Sequence, residues 1–160
     1  MWQNLIDTLD KLGEVYDGLA KLGERKRDAL VGIDMAGLSK ILDEEQLLAA
    51  KVQKLEQKRV ELLKNLSASN TAVNETTRAQ DFYRAAPANI AEKLIQLHGR
   101  LSKNVARAIQ FRDNNRVLAQ CALDAVNGRL NKLSGAAVEP TYSAKGADIV
   151  TRQKKFDFKA

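Results

Sequence analysis

The sequence predicts an all-α protein: an elongated antiparallel bundle of three long helices, with room for a short fourth helix, followed by a C-terminal tail. Three observations carry that expectation. The 160 residues are 44% apolar but only 5% aromatic, 29% are charged, and the apolar residues recur at steps of three and four over long stretches. Leu and Ala interleaved with charge at that spacing make helices that each bury one stripe rather than a thick core. The organisation expected is a helical bundle over residues 1–135 and a tail over 136–160.

The first helix is expected from about Trp2 to Leu30, with Leu5, Leu9, Leu12, Tyr16 and Leu19 along one seam. That seam weakens at Gly23 and Lys26, implying a loosely packed end that Leu22 fills only in part. Gly32-Ile33-Asp34 then breaks the pattern. Gly32 is read as the residue that permits the reversal, and Asp34 as the N-cap of the next helix, its carboxylate accepting from a first-turn N–H. A break this short cannot be a domain linker, so helix two folds back on helix one.

Helix two carries seam positions at Ile41, Leu48, Val52, Leu55, Leu62 and Leu66, widened by Leu38 and Leu42. Glu45 and Arg59 fall in the same register, either snorkelling outward or fixing alignment against polar groups of a neighbour. Ser67 to Thr77, SASNTAVNETT, has no sustained apolar period and reads as a loop. A short helix fits residues 77–85. Pro87 suits the first turn of the last helix, where its missing N–H costs little.

The last helix follows Ile90, Leu94, Leu97, Leu101, Val105 and Ala108, then Leu118, Ala122, Val126, Leu130 and Leu133, and stops at Ser134-Gly135. Between Ala108 and Leu118 the seam meets Arg112 and Asn115, so a register slip is expected around FRDNNR, either by a stutter or by facing a different partner. Asn114 and Asn115 either set alignment or face water. At about 1.5 Å per residue this helix reaches ~70 Å, against ~50 Å for helix two. Its last third is therefore expected to overhang the turn, leaving Leu118, Ala122, Val126, Leu130 and Leu133 without a partner in the bundle. Helix-on-helix recognition uses anchors at this spacing. Residues 147–160, a kink in the helix, or a second copy of the chain are the alternatives for covering that face.

Other features exclude more than they suggest. One cysteine cannot form an internal disulfide, and no leader or 18-residue apolar run opens the sequence, so a cytoplasmic protein is expected. His98 is the single histidine, no Cys-His metal spacing occurs, and no Gly-rich phosphate loop precedes a helix. No catalytic, cofactor-binding or metal residue is assigned, and no cofactor is expected. His98 reads as a partly exposed residue beside Leu94 and Leu101, and Cys121 as a small packing residue. The net charge of +6 is spread through mixed helix faces. In the tail, Lys145, Arg152, Lys154, Lys155 and Lys159 stand near Phe156 and Phe158, a pattern suited to phosphate or a lipid surface. A solvated end is the simpler reading, so neither nucleic acid nor membrane is the expected partner.

The stretch ERKRDALVGIDMAGLSKILDEEQLLAAKVQKLEQKR resembles the signature of the FlgN-type flagellar export chaperones. A leucine-x-glycine-x-aspartate turn, here Leu30, Gly32 and Asp34, precedes an acidic Leu-rich helix with Leu38, Glu44, Glu45, Leu55, Glu56 and Arg59. NNRVLAQCALDAVNGRL and TYSAKG, with Tyr142 and Gly146, resemble the family's last helix and the segment after it. The resemblance implies a cytoplasmic chaperone of flagellar type III export that binds the hook-filament junction proteins FlgK and FlgL. Such a chaperone holds their C-terminal helical segments, prevents premature self-association and delivers them to the export apparatus. It implies substrate contact through the last helix and tail, hence Leu118, Ala122, Val126, Leu130, Leu133 and Tyr142. The competing readings are a coiled-coil adaptor or homo-oligomeric structural protein without an export role, including a local homodimer through Leu118 to Leu133, and a nucleic-acid or membrane-surface binder acting through its basic tail.

Overall fold

The computed structural model describes residues 1–69 and 77–135, in four helices: α1 (Trp2–Val31), α2 (Met35–Ser69), α3 (Ala79–Arg84) and α4 (Ala88–Ser134). The described residues contain no strand. The all-α expectation holds, with three long helices and a short one. The chain divides into two compact units, Met1–Asn115 and Arg116–Ala160. Tyr142, Gly146 and the basic tail lie outside the described residues, as does most of the expected loop.

In the first unit, Leu5, Leu9 and Leu12 of α1 are fully buried. They form one cluster with Leu62 and Leu66 of α2, Phe82 and Tyr83 of α3, and Leu94 and Leu101 of α4. Burying each such side chain stabilises the fold by about 1.5–3 kcal/mol. The Trp2 and Phe82 rings pack in a T-shaped arrangement at a centroid distance of 5.9 Å, which ties α3 to the start of α1. A second, smaller cluster of Leu22, Ala29 and Ile41 lies beside the α1–α2 turn. Between the two, α2 is thinly covered: Leu48, Val52 and Leu55 are only half-buried.

The two clusters fix the direction of α2: early residues Leu5 and Leu9 of α1 meet late residues Leu62 and Leu66, while Leu22 and Ala29 meet Ile41, so α2 runs antiparallel to α1. Arg25 bonds Glu44 at 2.9 Å and Lys26 bonds Glu45 at 2.7 Å across this hairpin. Along α4, Arg100 meets Asp10 at 3.2 Å, the Asn104 amide donates to the Gly13 carbonyl at 2.9 Å, and the Asn115 amide donates to the Gly23 carbonyl at 2.7 Å. Numbers rise together on both helices, so α4 is parallel to α1 and the order is up, down, up. Glu45 therefore fixes alignment with Lys26, whereas Arg59 bonds Glu56 within its own helix.

The α1–α2 turn corrects one expectation. Gly32 keeps a right-handed conformation, φ −81°, and it is Ile33, at φ 54°, that takes the left-handed position. The hydrogen bonds explain why: Ile33 N–H donates to the Leu30 carbonyl and Asp34 N–H to the Ala29 carbonyl, a Schellman closure whose left-handed site is the second residue of the break. A β-branched residue there costs roughly 1–2 kcal/mol. Asp34 is the N-cap as expected, its Oδ1 accepting from the Gly37 N–H at 2.9 Å. A Cβ at Gly37 would meet that carboxylate, which would have to turn to make room for it.

Two further differences come from close packing. Gly23 is not a loose end but a buried contact, because a missing side chain lets Phe111 and Asn115 of α4 reach the α1 backbone. The seam of α4 shows no slip through this region. Leu94, Leu101 and Asn115 are buried at multiples of seven, and Arg112 is exposed because Phe111 takes the inward step. Asn114 is exposed. Finally, α2 runs to Ser69, past the expected start of the loop, with the Ser67 and Ser69 hydroxyls donating to carbonyls of its last turns.

Buried polar groups mark the first unit rather than a reaction site. The Tyr83 ring stands edge-on to His98, which is half-buried as expected, at 5.6 Å. Burial pushes the Tyr83 hydroxyl above its ordinary range, an effect the nearby Arg59 guanidinium partly offsets, and the hydroxyl makes no well-formed hydrogen bond among the described residues. Asp17 is held low by its bond from Lys21.

Candidate partner-binding face

Residues 116–134 continue α4 in the second unit, and here apolar residues recur without being buried. Successive helical residues turn by about 100°, which places Leu118, Ala122, Val126, Leu130 and Leu133 on one arc of about 120°. Leu118 is half-buried and Ala122 exposed, while Val126, Leu130 and Leu133 leave 54%, 56% and 85% of their surface in water. Five of the six expected site residues therefore share a face, and the sixth, Tyr142, lies outside the described residues.

Two residues belong to this surface that the seam did not indicate. Ala119 lies on the arc and Leu123, 49% exposed, borders it. A seam stepped by four and three selects one residue per turn, whereas a face wide enough to hold another helix takes two. The exposed Arg129 also falls on the arc and supplies a positive charge inside an otherwise apolar stripe. Cys121 is exposed, not a packing residue, because its position points away from the arc. On the polar side, the Gln120 amide donates to Asp124 at 2.9 Å, the i to i+4 spacing that supports an exposed helix.

Chemically, such a surface binds rather than reacts. Its side chains offer apolar area and one guanidinium, and among the described residues no group of three or more His, Cys, Asp or Glu is placed to hold a metal ion. No helix among the described residues is long and apolar enough to cross a membrane.

Comparison with known proteins agrees with this picture at the level of family. The family model described as FlgN protein matches residues 1–148, which covers all four helices. No curated protein and no solved structure matches the chain. The family is one of chaperones and not of enzymes, and membership implies a general role in flagellar export. A match over most of the sequence, on a chain of the expected all-α build, establishes that this protein belongs to the FlgN family.

Proposed function

We propose that this chain is a cytoplasmic chaperone for flagellar hook-filament junction proteins of the FlgK and FlgL type. In this reading it holds their C-terminal helical segments on the α4 face, prevents premature self-association, and escorts them to the type III export apparatus. The observation that carries the proposal is the exposed stripe of Val126, Leu130 and Leu133 inside the region matched by the family. A substrate helix that would otherwise pair with its own kind buries its stripe there. Affinity is the apolar area gained less the cost of ordering both segments. Release then needs a competing contact and no bond cleavage. Tyr142 and the tail complete the grip in this proposal, with the bundle ending near residue 135.

Calorimetric titration with C-terminal peptides of FlgK and FlgL tests it. The double variant Val126→Asp with Leu130→Asp should weaken binding by about 100-fold or more, as removal of central apolar anchors does, at unchanged helicity. Equal affinity of the variant, or no binding by the intact chain, overturns the proposal. A homodimer through the same stripe is the second reading, favoured by the same exposed leucines. Concentration-dependent light scattering with and without peptide separates the two.

A further inference from the structure

On the first unit, α1 and α2 enclose a groove of about 340 Å³ lined by Lys11, Glu14, Val15, Lys51, Lys54 and Leu55. Val15 and Leu55 are half-buried and form its apolar floor. Leu47 lies one turn before Lys51 on the same side of α2 and leaves 66% of its surface in water. The core does not need it: Ile41, Leu62 and Leu66 fill the buried face, about 100° away round the helix.

The charge on the rim is one-sided, three lysines to one glutamate. Elsewhere on the same hairpin many cations are matched: Lys21 with Asp17 at 2.7 Å, Arg25 with Glu44 at 2.9 Å, Lys26 with Glu45 at 2.7 Å and Arg59 with Glu56 at 2.8 Å. Lys11, Lys51 and Lys54 have no such partner among the described residues. The chain's own tail does not complement them. Over residues 136–160, Lys145, Arg152, Lys154, Lys155 and Lys159 outnumber Glu139, Asp148 and Asp157, five positive to three negative. A second copy, at net charge +6, is also the wrong sign overall. A polyphosphate or a bilayer has no use for a narrow apolar slot, and Glu14 opposes both.

We propose that this groove docks an acidic amphipathic helix of a partner protein, its apolar side on Val15, Leu47 and Leu55 and its carboxylates over Lys11, Lys51 and Lys54. Apolar floor and charged rim divide the work as they do at protein interfaces: the first supplies affinity, the second orientation and choice of partner. The site is independent of the α4 face, and either stands if the other fails.

The test is methyl-resolved NMR of the full chain titrated with a synthetic helical peptide whose Leu stripe is flanked by Glu, and with its counterpart carrying Lys in place of Glu. The acidic peptide should shift the Val15, Leu47 and Leu55 methyls saturably and bind at least about tenfold tighter than the basic one at low salt, a gap that narrows as salt rises. Lys11→Glu with Lys51→Glu and Lys54→Glu should reverse the preference, and Leu47→Ser should weaken the acidic peptide with the charge intact. Equal affinity of the two peptides, shifts confined to the Val126 and Leu130 methyls, or binding of phosphatidylglycerol vesicles or duplex DNA without peptide binding overturns the proposal. Should the triple variant lose helicity, the single variant Lys51→Gln decides by the same peptide comparison. The same spectra report FlgK-peptide binding at α4 separately, so one site's failure is not mistaken for the other's.

Discussion

The two parts of α4 have similar sequences and opposite surroundings. In 88–115, Leu94 and Leu101 vanish into a cluster with α1, α2 and α3, whereas in 116–134, Val126, Leu130 and Leu133 repeat the same kind of spacing in water. Helical periodicity thus specifies that a face exists and which residues share it. What covers the face is decided by other elements, or by another molecule. A heptad is a request for a partner, and only the first unit answers it from within the described chain.

The largest expected effect tests that contrast directly. Leu9→Ala should cost about 2–5 kcal/mol of unfolding free energy, because it empties a fully enclosed site. Leu130→Ala should change the stability of the free chain by less than about 0.5 kcal/mol. Urea denaturation of both variants checks this, and a cost above about 2 kcal/mol at Leu130 would show that the stripe is packed in the free protein.

A matched pair of glycines sharpens the comparison. A Cβ at Gly23 would sit 2.6 Å from the Phe111 Cβ, so Gly23→Ala should destabilise by about 1–3 kcal/mol through overpacking. A Cβ at Gly128 would meet nothing within 4 Å, so Gly128→Ala should stabilise its helix by up to about 1 kcal/mol. The same substitution therefore carries opposite signs in the two units, readable as a fall and a rise in melting temperature. Matching signs would erase the distinction.

The smallest effect is alkaline and belongs to the first unit. Burial raises the Tyr83 hydroxyl above its ordinary value of 10.0, and Tyr16 is raised for the same leading reason. Below about pH 10 the tyrosines are protonated in both states and their contribution is fully present. As pH rises, the unfolded chain ionises first, so stability is lost until the folded values are passed. Denaturation midpoints measured from about pH 9 to about pH 11 should fall, and Tyr83→Phe should flatten that slope at little cost near neutrality. An unchanged slope would mean that Tyr83 does not lose water on folding.

Much of this was legible from residue spacing. The limits of α1 and α4, the Asp34 cap, the pause at Pro87 and the C-terminal stop at Gly135 follow from local chemistry that side chains carry in themselves, whereas α2 outruns its expected end to Ser69. Less legible were features settled by a neighbour. Gly23 reads as a weak seam position until Phe111 arrives, and Asn115 reads as either an aligning or a solvated residue until the Gly23 carbonyl takes its amide. Ile33 shows a subtler limit. Glycine is the expected left-handed residue, but the hydrogen bonds closing α1 put the strained site one position later. On the α4 face, the five residues that the seam named share one arc, and the seam passed over Leu123, since spacing has no measure of width.

The two asparagine bonds from α4 end on main-chain carbonyls of Gly13 and Gly23, not on side chains of α1. A carbonyl is present whichever amino acid occupies a position, so the alignment of the parallel pair is largely insulated from sequence drift along α1. Charges such as Asp10 and Asp17 can be exchanged without removing the acceptors that hold α4 in place. The constraint falls on size instead: residue 23 must stay small for Phe111 to approach, and residues 104 and 115 must keep an amide. The register of these helices is thus inherited through very few positions, which leaves the outer surfaces of the hairpin open to adaptation toward new partners.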